Sequence, residues 1–192
     1  MFFARKSLVA PALVVAVALV LLAGAPAAGQ GQGAAKLEGT WVARVVEFDG
    51  APSPWPFQWS YVLTPDNSGR TAAIYGNVDI GFPPTPPLVA DAHSPLLGRV
   101  VTTGPRTTAF DSYWYGIKKD VLPGLDAVLY IGRAWGEGRV VAAGKTETTH
   151  HFEVYLPAAD ADGDGLPDPG AVPVKTFTVV TMDTRVPPLP MK

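Results

Sequence analysis

Residues 57–64 have the sequence Phe-Gln-Trp-Ser-Tyr-Val-Leu-Thr, in which large apolar side chains stand at every second position. The polar residues Gln58, Ser60 and Thr64 fall between them, on the opposite side of an extended chain. A period of two is that of a β-strand with one face in a core and the other in water. The segment therefore predicts a half-buried strand within a sheet.

Segments of the same kind recur along the chain, where runs rich in Val, Thr and aromatic residues alternate with clusters of Pro, Gly, Asp and Asn. No segment has the period of a long helix. The predicted strands cover residues 39–48, 57–64, 70–80, 97–103, 107–117, 127–135, 140–156 (one strand, or two broken near Gly144) and 175–185. About eight short antiparallel strands favour an all-β fold, either an up-and-down barrel or a sandwich.

The N-terminal 28 residues have the three parts of a secretory signal peptide. Arg5 and Lys6 are its basic part, residues 8–22 are its apolar part, and small residues at 25–28 suit a signal peptidase. We expect cleavage there, which leaves a flexible spacer at 29–36 and a single all-β domain at 37–192, secreted or periplasmic and with no membrane attachment. The alternative is a retained anchor, since the apolar part approaches the length that spans a bilayer.

The composition narrows the classes of function. There is no cysteine, so disulfides and thiolate metal sites are excluded. The 15 Lys and Arg are balanced by 17 Asp and Glu, which gives no basic surface for a nucleic-acid partner. The apolar content is that of a globular domain, and a domain of this length buries enough surface to fold without covalent links.

Gly39-Thr40-Trp41, at the start of the first predicted strand, resembles the Gly-x-Trp signature of lipocalins and related up-and-down barrels. In that family the Trp closes one end of the barrel, and an Arg from the last strand stacks on it. The resemblance implies these structural roles for Trp41 and for Arg185, which ends the last predicted strand, through a cation–π contact.

Residues 160–168 read Asp-Ala-Asp-Gly-Asp-Gly-Leu-Pro-Asp and resemble the Asp-x-Asp-x-Asp-Gly calcium loop of EF-hands and thrombospondin type 3 repeats. Alternate carboxylates on a tight loop converge on one point, and Gly165 permits the sharp bend. The predicted calcium ligands are the carboxylates of Asp160, Asp162, Asp164 and Asp168 and the backbone carbonyl of Leu166.

Two departures from an EF-hand limit this prediction. Ala171 stands where an EF-hand has a bidentate Glu, and the flanking segments are strand-like and rich in proline. We therefore expect a structural Ca²⁺ site of weak to moderate affinity between the last two strands rather than a calcium sensor. The alternative is a solvated acidic turn.

The histidines offer the second candidate site. His150 and His151 are adjacent on a predicted strand and so point to opposite faces, with His150 on the apolar side. Inside a barrel, His150 would be a candidate acid, base or metal ligand beside one of three polar residues, Asp111, Tyr113 or Glu147. The alternative is a hydrogen-bonded core or rim histidine. His93, in a proline-rich region, is expected to be exposed.

Aromatic residues are numerous, and a barrel mouth lined by them would suit a small apolar ligand. They are Trp55, Trp59, Tyr61, Tyr113, Trp114, Tyr115, Tyr130 and Trp135. Two functions follow as hypotheses: a noncatalytic binding or structural module with a calcium-stabilised loop, or a small-barrel enzyme of the isomerase or cyclase kind that acts on an apolar or carbonyl substrate. No linear catalytic motif favours the second, and the sequence leaves the oligomeric state open.

Overall fold

A computed structural model describes residues 37–53, 58–66, 68, 70–76 and 89–187. The predicted signal peptide, Trp55 and the proline-rich segment 81–87 lie outside the described residues, as does the spacer. Ten strands are present within the described part: β1 Gly39–Phe48, β2 Ala51–Pro52, β3 Gln58–Pro65, β4 Thr71–Gly76, β5 Ala92–His93, β6 Leu96–Gly104, β7 Thr107–Leu122, β8 Leu125–Ala142, β9 Lys145–Tyr155 and β10 Lys175–Arg185. No helix of the described part has the length and hydropathy that a membrane span requires.

Eight of these strands form a closed antiparallel barrel. Each of β1, β3, β4, β6, β7, β8, β9 and β10 pairs with the next in that order, and β10 returns to pair with β1. The two-residue strands β2 and β5 attach to β1 and β7 respectively. The all-β prediction is confirmed, and of its two forms the structure is the up-and-down barrel rather than the sandwich.

The longest pair of strands, β7 and β8, extends well past the predicted ends at 117 and 135. The last part of β7 and the first part of β8 form a hairpin that turns at Pro123-Gly124 and carries the exposed apolar residues Val121, Leu122 and Leu125 at its tip. The sequence suggests a loop here because Lys118, Lys119 and Asp120 interrupt the apolar pattern. In the structure both strands continue into solvent because their backbones still pair with each other. The predicted segment 140–156 belongs to two strands that are separated near Gly144, which is one of the two alternatives predicted for it.

The barrel interior contains two apolar clusters. One, the Trp114 cluster, is formed by Val45, Trp114, Tyr130, Ala134, Phe152, Val154, Phe177 and Val179. The other, the Trp41 cluster, is formed by Leu37, Trp41, Leu63, Ala72, Ile74 and Val100. Several polar residues are buried on the same inner face, among them Thr148, Thr181 and Asp183. A polar layer inside an otherwise apolar barrel must have its hydrogen bonds satisfied from within.

Glycines on the inner face make room for the largest rings. Gly132 pairs with Trp114 across β7 and β8, and Gly116 pairs with Tyr130. The Trp114 ring lies over the backbone of Gly132, and the Tyr130 ring lies over Gly116, so that a Cβ at either glycine would overlap the ring. These two rings therefore pack flat against strand backbone, which only glycine permits.

The Gly-x-Trp resemblance is matched in part. Trp41 is buried, and its indole N–H donates to the Leu37 carbonyl at 2.7 Å. Arg185 lies opposite Trp41 in the β1–β10 register, as the resemblance implies. Its guanidinium, however, rests against Gly39, and the cation–π contact found among the described residues is Arg133 over Tyr113. Trp41 and Arg185 are thus partners in the strand pair that closes the barrel, but they do not make the stacking contact that the resemblance implies.

The connection between β9 and β10 covers part of the outer face. Ile131 and Tyr155 are neighbours on that face, yet both are almost completely buried. The Tyr115 hydroxyl, from the same face, donates to the Gly165 carbonyl of the connection at 2.9 Å. The acidic segment 160–168 is therefore attached to the barrel wall.

The contact of Trp114 with Gly132 can be tested by adding one methyl group. Gly132→Ala should lower the free energy of unfolding by about 1 to 3 kcal/mol, because an overpacked interior must move a ring or a strand. Trp114→Leu removes the obstructing ring, so the double variant should cost less than the two single variants added together. Urea unfolding measures all three. Additive costs would contradict the contact.

Candidate ligand-binding site

A cavity lies inside the barrel and touches both apolar clusters. Its volume, as space open to the centre of a water molecule, is about 60 Å³. The walls include the rings of Trp41, Trp59, Phe110 and Phe152. Four hydroxyl side chains also line it: Thr108, Ser112, Thr146 and Thr148. Three titratable side chains are also part of the lining: Tyr61, His150 and Asp183.

Asp183, on β10, is the carboxyl group of this cavity, and it is 1% exposed. The Tyr61 hydroxyl donates to its Oδ2 at 2.9 Å, and the Thr148 hydroxyl donates to the same oxygen at 2.8 Å. Its other oxygen, Oδ1, is buried and has no hydrogen-bond partner among the described residues. A buried acceptor without a donor is costly, so this atom is where a bound molecule gains most from supplying one.

Burial governs the protonation of this pair. It raises the pKa of Asp183 above its usual range, and the nearby hydroxyls of Thr181, Thr148 and Tyr61 oppose that rise. Burial, with the charge of Asp183 and the hydrogen bond to it, also raises the pKa of Tyr61. Tyr61 therefore remains a neutral phenol that donates to the carboxyl group.

His150 points into the cavity, as its place on the apolar side of β9 predicts. Its Nε2 lies 3.0 Å from the Thr181 hydroxyl oxygen. The imidazole packs against the rings of Trp59 and Phe110, with centroids 5.1 and 4.9 Å away. Burial, and to a smaller extent the charge of His151, lowers the pKa of His150 to about 3. The ring is neutral at physiological pH.

The polar partners proposed for His150 lie elsewhere. Asp111 forms an ion pair with Arg133 at 2.8 Å, and Tyr113 lies beneath the same guanidinium. Glu147 forms an ion pair with Arg139 at 2.9 Å. All three alternate with inward residues along their strands and so face outward. Alternation along β9 already places Glu147 on the side opposite His150, whereas Asp111 and Tyr113 lie on a strand that carries aromatic rings on both faces, so its inner side does not stand out in the sequence.

The remaining predicted residues divide between the two faces. Trp59 and Tyr61 line the cavity, while Trp114 and Tyr130 belong to the core. Tyr113, Tyr115 and Trp135 are on the outer face, where Trp135 stacks on His151 with centroids 4.4 Å apart. The expectation that His93 is exposed is wrong. It is partly buried, and its Nε2 lies 2.7 Å from the Tyr130 hydroxyl oxygen.

The acidic segment is a bent loop with no helix beyond the short 3-10 turn Pro157–Ala159 that precedes it. Carboxylate oxygens of Asp160, Asp162 and Asp164 lie within 4.8 Å of one another. Asp160 is partly buried and the other two are exposed. Asp160 Oδ2 accepts from the Gly165 amide at 3.0 Å, whereas its Oδ1 is buried without a partner among the described residues.

The other two predicted ligands are placed differently. Asp168 lies outside the trio, and its Oδ2 accepts from the Ala161 amide at 3.0 Å. Leu166 donates its amide to Asp164 Oδ1 at 2.7 Å. None of the ion pairs found among the described residues involves the loop. The carboxylates of the trio thus face one another without a basic side chain to offset their repulsion.

Asp183 was missed from the sequence, although a signal for it exists. Phe177, Val179, Thr181 and Asp183 alternate along β10, and the first two mark the inner face. Continuing the same period places the carboxyl group inside. Because Thr184 and Arg185 follow it, Asp183 resembles the polar end of a strand in solvent, which hides its place in the alternation.

No protein-family model and no curated protein matches the chain. Two solved structures have a similar fold. A chain named EF1p2_mFAP2b, solved bound to DFHBI, is 18% identical with a TM-score of 0.46, over 82% of this chain and 99% of its own. A redesigned β barrel named b11L5F_LGL is 17% identical with a TM-score of 0.43, over 81% of this chain and 96% of its own. With TM-scores below 0.5, neither bears on what this chain binds.

The buried neutral histidine predicts a dependence of stability on pH. The unfolded chain protonates His150 near its usual pKa of 6.5, while the folded chain does so only near 3. Between these values the unfolded state binds more protons, so the free energy of unfolding falls on acidification by up to about 1.4 kcal/mol per pH unit. His150→Phe should lose this contribution, as measured by urea unfolding at pH 7, 5.5 and 4.5. His151→Phe, on the outer face, is the control, and equal slopes for the two variants would contradict the assignment.

Proposed function

We propose that this protein is a binding module that holds a small molecule inside its barrel. The observation that supports this most is the interior cavity, whose apolar rings surround one buried carboxyl group with an unpartnered oxygen. Concave apolar sites with few polar groups are typical of small-molecule binding.

The volume limits the ligand. One water molecule needs roughly 10 to 15 Å³ of such space, so about 60 Å³ corresponds to about four to six water molecules. The expected ligand therefore has about four to six non-hydrogen atoms. A ligand of this size is consistent with the small apolar ligand that the many aromatic residues suggest.

The enzyme hypothesis has less support. His150 is within hydrogen-bond distance of a threonine hydroxyl rather than a carboxylate, and its pKa is far below the range in which a histidine exchanges protons at neutral pH. Among the residues that the structure describes, the hydrogen-bond partner found for its ring is Thr181 and not a carboxylate that would orient it as a base. A neutral imidazole surrounded by rings instead acts as part of the wall.

Binding inside the barrel can be tested with isobutanol, which has five non-hydrogen atoms. It should shift amide resonances of residues around the cavity in two-dimensional NMR spectra. Ala134→Val and Ile74→Phe, which add volume from two sides of the cavity, should weaken binding at least about tenfold while the barrel remains folded. Ala142→Val, at the exposed end of β8, should bind normally. Unchanged binding to both cavity variants would refute an interior site.

We infer that the loop 160–168 holds a structural Ca²⁺. The close approach of three carboxylates without a basic neighbour, the buried unpartnered Oδ1 of Asp160 and the bend at Gly165 support the proposal. A cation there would relieve the repulsion and fasten the β9–β10 connection to the wall through Tyr115. The remaining ligands would be Asp168 or Leu166, after local adjustment, and water.

Export is also proposed, on the sequence of the first 28 residues alone. A basic, an apolar and a small-residue part in this order are the features that a secretory pathway recognises. A secreted or periplasmic location is consistent with a weak calcium site, because calcium outside the cytosol is abundant enough to occupy one.

Calorimetry with CaCl₂ should show binding with a Kd of about 0.1 to 1 mM. At ten times that Kd the ion should raise the free energy of unfolding by about 1.4 kcal/mol. Asp162→Asn and Asp164→Asn should abolish both effects, and Asp120→Asn, an exposed aspartate in the β7–β8 hairpin, should preserve them. No heat from the unmutated protein, or an equal response to MgCl₂, would contradict a calcium site.

A further inference from the structure

We propose that the ligand of the barrel is a small primary amine, bound as its ammonium ion with its charged group against Asp183 Oδ1. This rests on the proposed function and adds to it the chemical class of the ligand. The assignment follows from which hydrogen-bonding groups of the cavity are free, which are occupied, and which charges the walls contain.

Three hydroxyl donors of the cavity are already in use. The hydroxyls of Tyr61 and Thr148 donate to Asp183 Oδ2, and the Ser112 hydroxyl donates to the Ala134 carbonyl at 2.9 Å. The free position is an acceptor, Asp183 Oδ1. A ligand that brings only acceptors would leave this oxygen unpaired, whereas a donor satisfies it.

The charge of the walls selects among donors. Of the described residues that line the cavity, none is Lys or Arg, and the imidazole of His150 is neutral. The described side chains of the lining therefore supply no positive charge, and the acidic side chain among them is Asp183. An anion placed there would meet a buried acid without a compensating cation, while an ammonium ion forms a charge-assisted hydrogen bond with it.

The lining of the site suits both an ammonium group and a short apolar body. An ammonium ion has three donors, and the hydroxyl oxygens of Thr146 and Thr148 line the same cavity as Asp183 and are able to accept from it. The lining also includes the rings of Trp59 and Phe152, which can contact an alkyl body and attract a nearby cation. With space for about four to six water molecules, the body has about three to five carbon atoms.

The test compares three compounds that share a branched four-carbon skeleton: isobutylamine, isobutanol and isobutyrate. In calorimetry and NMR titrations at pH 7, we expect isobutylamine to bind about 10- to 100-fold more tightly than isobutanol, and isobutyrate not to bind. Asp183→Asn should reduce the affinity for the amine to that for the alcohol, because the amide carries no charge. Asp120→Asn should leave the ranking unchanged.

The outcomes separate the two levels of the proposal. If isobutanol or isobutyrate binds as tightly as isobutylamine, the amine assignment is wrong and the binding function stands. If none of the three binds, the proposed function itself fails, and the cavity contains only water. The ranking on the unmutated protein decides the matter even if Asp183→Asn does not fold, and thermal unfolding of that variant shows whether it does.

Discussion

The pairing of β10 with β1 is the constraint on which the rest of the structure depends. It joins the two ends of an eight-strand meander into a barrel, and a closed barrel has a single inner face. Asp183 lies in this seam, opposite Ala43, so closure carries its carboxyl group into the interior. Tyr61, two strands away around the barrel, then reaches it. The polar centre of the cavity is thus a consequence of how the sheet closes.

Much of the fold follows from residue periodicity, and most of the interior site does not. Val154, Phe152 and His150 alternate along β9 as a half-buried strand requires, and the inward position of His150 was predicted from that alone. Its neighbours could not be predicted in the same way. They come from β3, β7 and β10, and which side chains meet across a barrel depends on strand register and stagger. The acidic trio is different because it is local: three aspartates within five residues converge whatever the rest of the chain does.

Large and small residues are complementary across the barrel, and their distribution determines where space is left. On β8 the inner face carries Gly132, Ala134, Gly136 and Gly138 in succession. The Trp114 ring from β7 fills the space above Gly132, and Ala134, which pairs with Ser112 on β7, is a wall of the cavity. The cavity is therefore lined by small and hydroxyl side chains as well as by rings.

The hairpin formed by the first part of β8 and the last part of β7 has one more consequence. Beyond Lys118, the described strands pair only with each other, so their outer backbone groups form two open edges beside the apolar side chains of Val121 and Leu122. Such edges are templates for pairing with a second chain and for aggregation. Lys119 and Asp120 interrupt the apolar surface at this point, and charges so placed act as gatekeepers that keep a protruding ribbon soluble.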